Sequence, residues 1–214
     1  MKDYCFLRKI FLLNHSVMHE CCYIWLNSLS QYMHYFLLIL FLLVGQHSWG
    51  QQVYKTDHGS VNFKSDAAME LIKASSQKLF GAIDSEKKTF SFVVKIVTFE
   101  GFNVGLQKEH FNENYMESDK FKTASFTGKI IEDVDFSKPG KYPVRAKGVF
   151  NVHGVEQERI IKCTLEVLPN AVLVQTEFTV LLDDHQIRVP RVVYEKVASE
   201  IIVVVSAELS KVIK

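Results

Sequence analysis

Apolar and polar residues alternate with period two through most of the chain beyond residue 85. Thr89 to Ile96 sets Phe90, Phe92, Val94 and Ile96 on one face, with Thr89, Ser91 and Lys95 opposite. Tyr142 to Val152 sets Tyr142, Val144, Ala146, Gly148, Phe150 and Val152 against Arg145, Lys147 and Asn151. Ile161, Cys163, Leu165 and Val167 alternate with Lys162, Thr164 and Glu166. Val172, Val174, Phe178, Val180 and Leu182 alternate with Gln175, Glu177 and Thr179. Patterns of this length predict half-buried antiparallel strands, one face on a core and one in water.

Weaker strand signals fall at Gly59 to Lys64, Leu71 to Gln77 and Lys122 to Ile131, and the run Ile201 to Leu209 either closes the sheet or lies under a helix. Turn residues separate these segments at Asp84-Ser85-Glu86-Lys87, Pro139-Gly140, His153-Gly154 and Pro169-Asn170. Strands at intervals of about ten residues, without a βαβ rhythm, mean a sandwich or a barrel. Long two-faced strands favour the barrel, because closure removes edges. The expectation is an all-β protein with one or two short helices, an extended antiparallel eight-stranded barrel. A barrel of that size encloses side chains or one small ligand.

Two segments depart from the alternation. Leu106 to Met116 places Leu106, His110, Phe111 and Tyr115 roughly on one helical face. Pro190 to Ser199 predicts a second short helix, with Pro190 in the first turn and Val193 and Val197 four apart.

The first fifty residues read as separate from the domain. Tyr35 to Val44 is a continuous apolar run, too short for a helix of roughly 20 residues across a bilayer. It suits a secretory signal, and Ser48 and Gly50 stand two apart as a processing site requires. Cleavage after Gly50 is expected, with residues 1–32 an upstream extension and an uncleaved anchor as the alternative. The domain is then 51–214, without a permanent membrane span. It is a single domain, long enough for a real core.

The chain has 25 Lys+Arg and 24 Asp+Glu. Lys2, Arg8, Lys9, Asp3 and Glu20 precede the domain, which leaves a balanced remainder without a basic run. Nucleic acid is a poor partner for such a surface, because phosphate neutralisation dominates that affinity. Cys5, Cys21 and Cys22 fall in the first fifty residues, so the domain keeps only Cys163 and forms no internal disulfide. On its strand Cys163 reads as a small buried hydrophobe.

Catalytic and metal motifs are missing. No GxSxG, phosphate loop, HxxH, HxH or CxxC occurs in the domain. Asp183, Asp184 and His185 read as an exposed turn and His153 as a turn residue, so no metal is expected. His110 reads as a hydrogen-bonded pin between the helical insert and the barrel. An enzyme acting on a lipid-like substrate would draw on His110, Glu109 or Tyr115 as acid or base. A third option is an interaction module with a filled core.

GSVNF (59–63), GAIDSEKKTFSFVV (81–94), EHFNENYMESDKF (109–121), ASFTGKI (124–130), GVFNVHGVEQE (148–158) and FTVLLDDHQIRVP (178–190) follow one another in an order that resembles the YceI-like family. The resemblance covers about 150 residues and implies a lipocalin-like barrel, exported to the periplasm or the medium. It implies binding without catalysis or a cofactor, the ligand being a long-chain lipid: a polyisoprenoid, an isoprenoid quinone or a fatty-acid-like chain. It leaves a homodimer open. Gln107-Lys108-Glu109 stands where the commoner family pattern has an Arg-Asp pair before the His. The apolar faces then supply the ligand contacts: Phe90, Phe92, Val94, Phe126, Val144, Phe150, Phe178 and Val180, with Phe111, Tyr115 and Met116 of the insert as lid or mouth.

Overall fold

The computed structural model describes residues 52–212. The apolar run at 35–44 and the expected cleavage point lie outside them. Eight strands follow in chain order: β1 (Val53–Asp66), β2 (Leu71–Asp84), β3 (Thr89–Lys95), β4 (Thr123–Ile130), β5 (Gly140–Val152), β6 (Val155–Val167), β7 (Ala171–Leu181) and β8 (Glu200–Lys211). Each pairs antiparallel with the next, and β1 pairs with β8 to close the barrel. All the ladders fall within 53–211, and 51–214 forms one compact unit. The unit therefore carries its own core and its own closure.

The alternation fixes which side chains point inward. Phe90 pairs with Gly128, Phe92 with Phe126 and Phe126 with Phe150, so one aromatic row crosses three strands on the inner face. The Phe90 and Phe126 rings stand 4.8 Å apart and those of Phe126 and Phe150 6.0 Å. Each such ring taken from water contributes about 1.5–3 kcal/mol. At the end where β1 begins and β8 ends the barrel is plugged. Tyr54 stacks on Phe136 at 6.0 Å, and Val134, Ile83, Val167 and Leu209 are buried around them.

The opposite end is covered by two long connections. Residues 96–122, between β3 and β4, contain a helix α1 (Gly105–His110) continued by a π-helical turn, Phe111–Tyr115. The helical span matches the expectation; the wider last turn is set by Met116 N donating to Phe111 O at 2.9 Å. Residues 182–199 form the second connection. The helix expected at 190–199 does not form there. The segment makes a 3-10 turn, Arg191–Val193, and further tight turns, with Lys196 N and Val197 N both donating to Val193 O. Adjacent β-branched Val192 and Val193 are poor helix formers, and Val192 is almost fully exposed.

One ladder is short. β6 and β7 pair only from Thr164–Gln175 to Val167–Val172. Beyond it β6 residues 155–163 and β7 residues 176–181 have no ladder partner across the gap. Thr176 Oγ1 donates to Lys162 O at 2.7 Å where the strands part. The far end of this slot is spanned by the turn at 183–187: Gln157 Nε2 donates to Asp184 O at 3.0 Å, and His185 Nδ1 lies 3.3 Å from Val155 O.

Candidate functional site

The inner faces of the strands enclose a cavity of about 510 Å³. That lies within the range of roughly 300–1,000 Å³ typical of small-molecule sites. Of the residues named from sequence, Phe90, Phe92, Val94, Phe126, Phe150, Phe178 and Val180 line it, as do Phe111, Tyr115 and Met116 of the insert. Val144 does not. It faces inward but is buried in the packed floor, outside the cavity wall. Sequence reasoning missed Ile72, Leu79, Ile161, Leu165, Val203 and Val205, which also line the cavity. The alternation in Ile161–Val167 already held two of these; Val203 and Val205 were hidden in a run apolar on both faces.

Four phenylalanines gather where the insert crosses the barrel. Phe111 stands 5.2 Å from Phe63, 5.2 Å from Phe102 and 5.7 Å from Phe99. Hydrogen bonds hold the insert over this end. Gln107 Nε2 donates to Glu70 Oε1 at 2.5 Å, Gln107 Oε1 accepts from Asn103 N at 3.0 Å, and Asn103 Nδ2 donates to Leu71 O at 3.0 Å. Met69 N donates to Glu195 O and Ala198 N to Ser65 Oγ, which ties the β1–β2 turn to the second connection. Polar lining concentrates at this mouth in Glu70, Gln107, His110 and Lys196. Exposed apolar residues ring it: Met69, Leu71, Val104, Leu106, Val192 and Tyr194.

His110 is not the pin expected from sequence. It is exposed and makes no side-chain hydrogen bond. The pin is His153, whose Nε2 lies 2.8 Å from Glu117 Oε2 on the insert and whose Nδ1 lies 3.0 Å from His185 O. His185 also departs from expectation. Asp183 and Asp184 are exposed, but His185 is fully buried against Phe150, ring centroids 5.5 Å apart. Burial holds its imidazole below its ordinary value.

The rest of the lining has few polar residues: Ser65, Ser125, Cys163 and Thr176. Burial pushes the Cys163 thiol up to about 11, with Glu132 adding to the effect, and burial also raises the Tyr115 phenol. Both shifts keep these groups protonated and neutral at ordinary pH. Glu109 is exposed and does not line the cavity. No group of three or more His, Cys, Asp or Glu side chains able to hold a metal occurs among the described residues.

A closed antiparallel barrel around an apolar cavity defines a lipocalin-like architecture. The match to the YceI-like domain family runs from residue 53 to 209, and the chain belongs to that family. Three solved structures share the fold. A polyisoprenoid binding domain from Saccharophagus degradans, implicated in plant cell wall breakdown, aligns over 75% of this chain and 98% of its own, with a TM-score of 0.63 at 12% identity. Burkholderia cenocepacia BcnA aligns over 71% and 96%, with a TM-score of 0.58 at 11% identity. A mutant Campylobacter jejuni YCEI protein with a monobromobimane guest aligns over 65% and 84%, with a TM-score of 0.51 at 12% identity. No curated protein matches the chain.

Proposed function

We propose that this protein is an exported carrier that holds one long-chain apolar lipid, a polyisoprenoid, an isoprenoid quinone or an acyl chain, in the barrel lumen. The observation that carries the reading is the cavity: about 510 Å³ of space with an almost wholly apolar wall. A filled core, as an interaction module would have, leaves no such space. Burial of a chain contributes about 0.8 kcal/mol per methylene, so ten carbons supply about 8 kcal/mol before the cost of ordering is subtracted. The polyisoprenoid-binding relative from Saccharophagus degradans supports the same ligand class.

Binding without chemistry is the better reading of the wall. A lumen enzyme needs an oriented acid or base; burial keeps Cys163 and Tyr115 protonated, Glu109 lies outside the lining, and His110 stands exposed at the mouth with no hydrogen bond to orient it. Export to the periplasm or medium rests on the apolar run and small residues before Gln51. No helix among the described residues is long and apolar enough to cross a membrane.

The test is mass spectrometry on residues 51–214 purified without detergent from a bacterial periplasm, native against denatured, followed by identification of what an organic solvent extracts. A stoichiometric isoprenoid or acyl species is expected. Protein that is empty, and that takes up neither added quinones nor fatty acids, sinks the reading.

A further inference from the structure

Arg159 falls on the inward face of β6, beside the cavity wall rather than in its lining, in register with Gly148 of β5, which in turn faces Gly128 of β4. These glycines let the two backbones close up. A Cβ on Gly148 would stand 2.2 Å from Thr127 O and one on Gly128 2.1 Å from Lys147 O. The inner row beside Arg159 therefore carries no side chain across two strands. On the other side of Arg159 is the slot where β6 has parted from β7. The guanidinium carbon stands 5.9 Å from the Phe150 ring centroid. Phe150 lines the cavity, and so do Ile161, two residues further along the same face, and Phe178 and Val180 across the slot.

Among the described residues no acidic side chain answers the charge of Arg159, whose guanidinium meets only the face of the Phe150 ring. Arg145 on the outer face pairs with Glu132 at 2.7 Å and Lys141 with Glu166 at 3.3 Å. Arg159 has neither an ion pair nor a hydrogen bond, and it is half-buried. Glu156 and Glu158 alternate to the exposed outer face, and Asp183 and Asp184 are exposed on the turn above. Beside the slot the fully buried His185 leaves its Nε2 without a partner. A cation drawn partly out of water without a counter-charge is costly. The planar fork of a guanidinium fits the two oxygens of a carboxylate or phosphate. The mouth beneath the two connections offers a poorer anion site, because the one Lys or Arg among its described lining residues, Lys196, stands next to Glu195 and shares the lining with Glu70.

We infer that Arg159 anchors the head group of the ligand: a carboxylate or phosphate monoester terminating a long apolar chain sits at the β6–β7 slot on the guanidinium, with the chain extending along the lumen. The inference rests on the carrier reading and narrows it to anionic lipids. It makes Arg159 a specificity residue.

The test compares ligands that differ only in the head. Residues 51–214, stripped of co-purified lipid, are titrated with hexadecanoic acid, hexadecyl phosphate and hexadecanol, for the parent and for Arg159→Gln and Arg159→Lys. The parent should bind the acid and the phosphate roughly tenfold or more tighter than the alcohol. Arg159→Gln should abolish that preference by weakening the anions alone, with alcohol binding within about twofold of the parent. Arg159→Lys, which keeps the charge and loses the fork, should fall between. Unchanged alcohol binding also shows that the variants fold. An acid-to-alcohol ratio that Arg159→Gln leaves intact overturns the anchor while the carrier reading stands. A parent that binds none of the three overturns both. Inorganic phosphate competing as well as hexadecyl phosphate would mean a free-anion site and overturns the lipid form.

Discussion

Glu117 and His153 meet at 2.8 Å, Oε2 against Nε2, and so join the long insert after β3 to the β5–β6 hairpin. The second ring nitrogen faces His185 O, so one imidazole links three connections at the covered end. Both residues sit in left-handed backbone conformation, with φ of 54° at His153 and 41° at Glu117. That region is unfavourable for residues with a Cβ, and the contact helps to hold both there.

The pairing gives a double-mutant test. Glu117 is about half exposed, so the coupling is modest, about 0.5–1 kcal/mol. His153→Ala and Glu117→Ala should each lower stability in urea unfolding. The double variant should lose less than the sum of the singles. Strict additivity would show that the contact contributes nothing.

His185 predicts a pH dependence. Burial is the main cause of its depressed value, and the Arg159 charge acts in the same direction. The unfolded chain takes up this proton near pH 6.5 and the folded chain only at lower pH. Stability should therefore be unaffected by this group above about pH 6.5 and fall as the pH drops below it. Glu132 is lowered by its bonds to Arg145 and Asp135 is held at about 2 by Ser137 and Lys138, so neither contributes in that window. Urea unfolding at pH 7.5 and 5.5 should show a loss in the parent that is smaller in His185→Gln. Equal losses in both would assign the slope elsewhere.

Cys163 should be a slow thiol. A shift from 9.0 to about 11 cuts the thiolate fraction at pH 8 by about a hundredfold. Labelling with a disulfide reagent should be slow in the folded protein and fast in denaturant. Rapid labelling of the native protein would mean that the lumen admits water at β6.

Filling the lumen should separate binding from folding. Ala124 lines the cavity on β4, and Ala124→Phe puts a ring into that space. Stability should stay within about 1–2 kcal/mol of the parent, because the site is hollow rather than packed. Occupancy by long-chain lipid, read by native mass spectrometry, should fall several-fold. Full occupancy in a well-folded Ala124→Phe would move the ligand away from this wall.

The strands that could be read from sequence are those with water on one side and the lumen on the other. Tyr142 to Val152 is the clearest, and β5 covers it almost residue for residue. β1 starts well before Gly59, because its register with β2 shifts around Gly59 and scrambles the alternation at Asp57 and His58. β8 carries Ile202 and Val204 outward as well as Val203 and Val205 inward, so period two vanishes there although the strand pairs on both sides. Inward direction was legible and depth was not: Val144 and Phe150 share a face, yet one is floor and the other cavity wall. His185 was hidden for a different reason. Its burial depends on Val155 O and Phe150, about 30 residues away in sequence, and no local pattern encodes that meeting. The same holds for Arg159, whose isolation depends on where β6 leaves β7.

The short β6–β7 ladder also bears on how these molecules treat one another. A closed cylinder has no margin for a foreign strand to join, but here residues 155–163 and 176–181 are two margins held together by the turn at 183–187. Unpaired strand edges recruit strands from neighbouring molecules. Weakening that small turn would therefore free both margins and offer them to strands of neighbouring molecules.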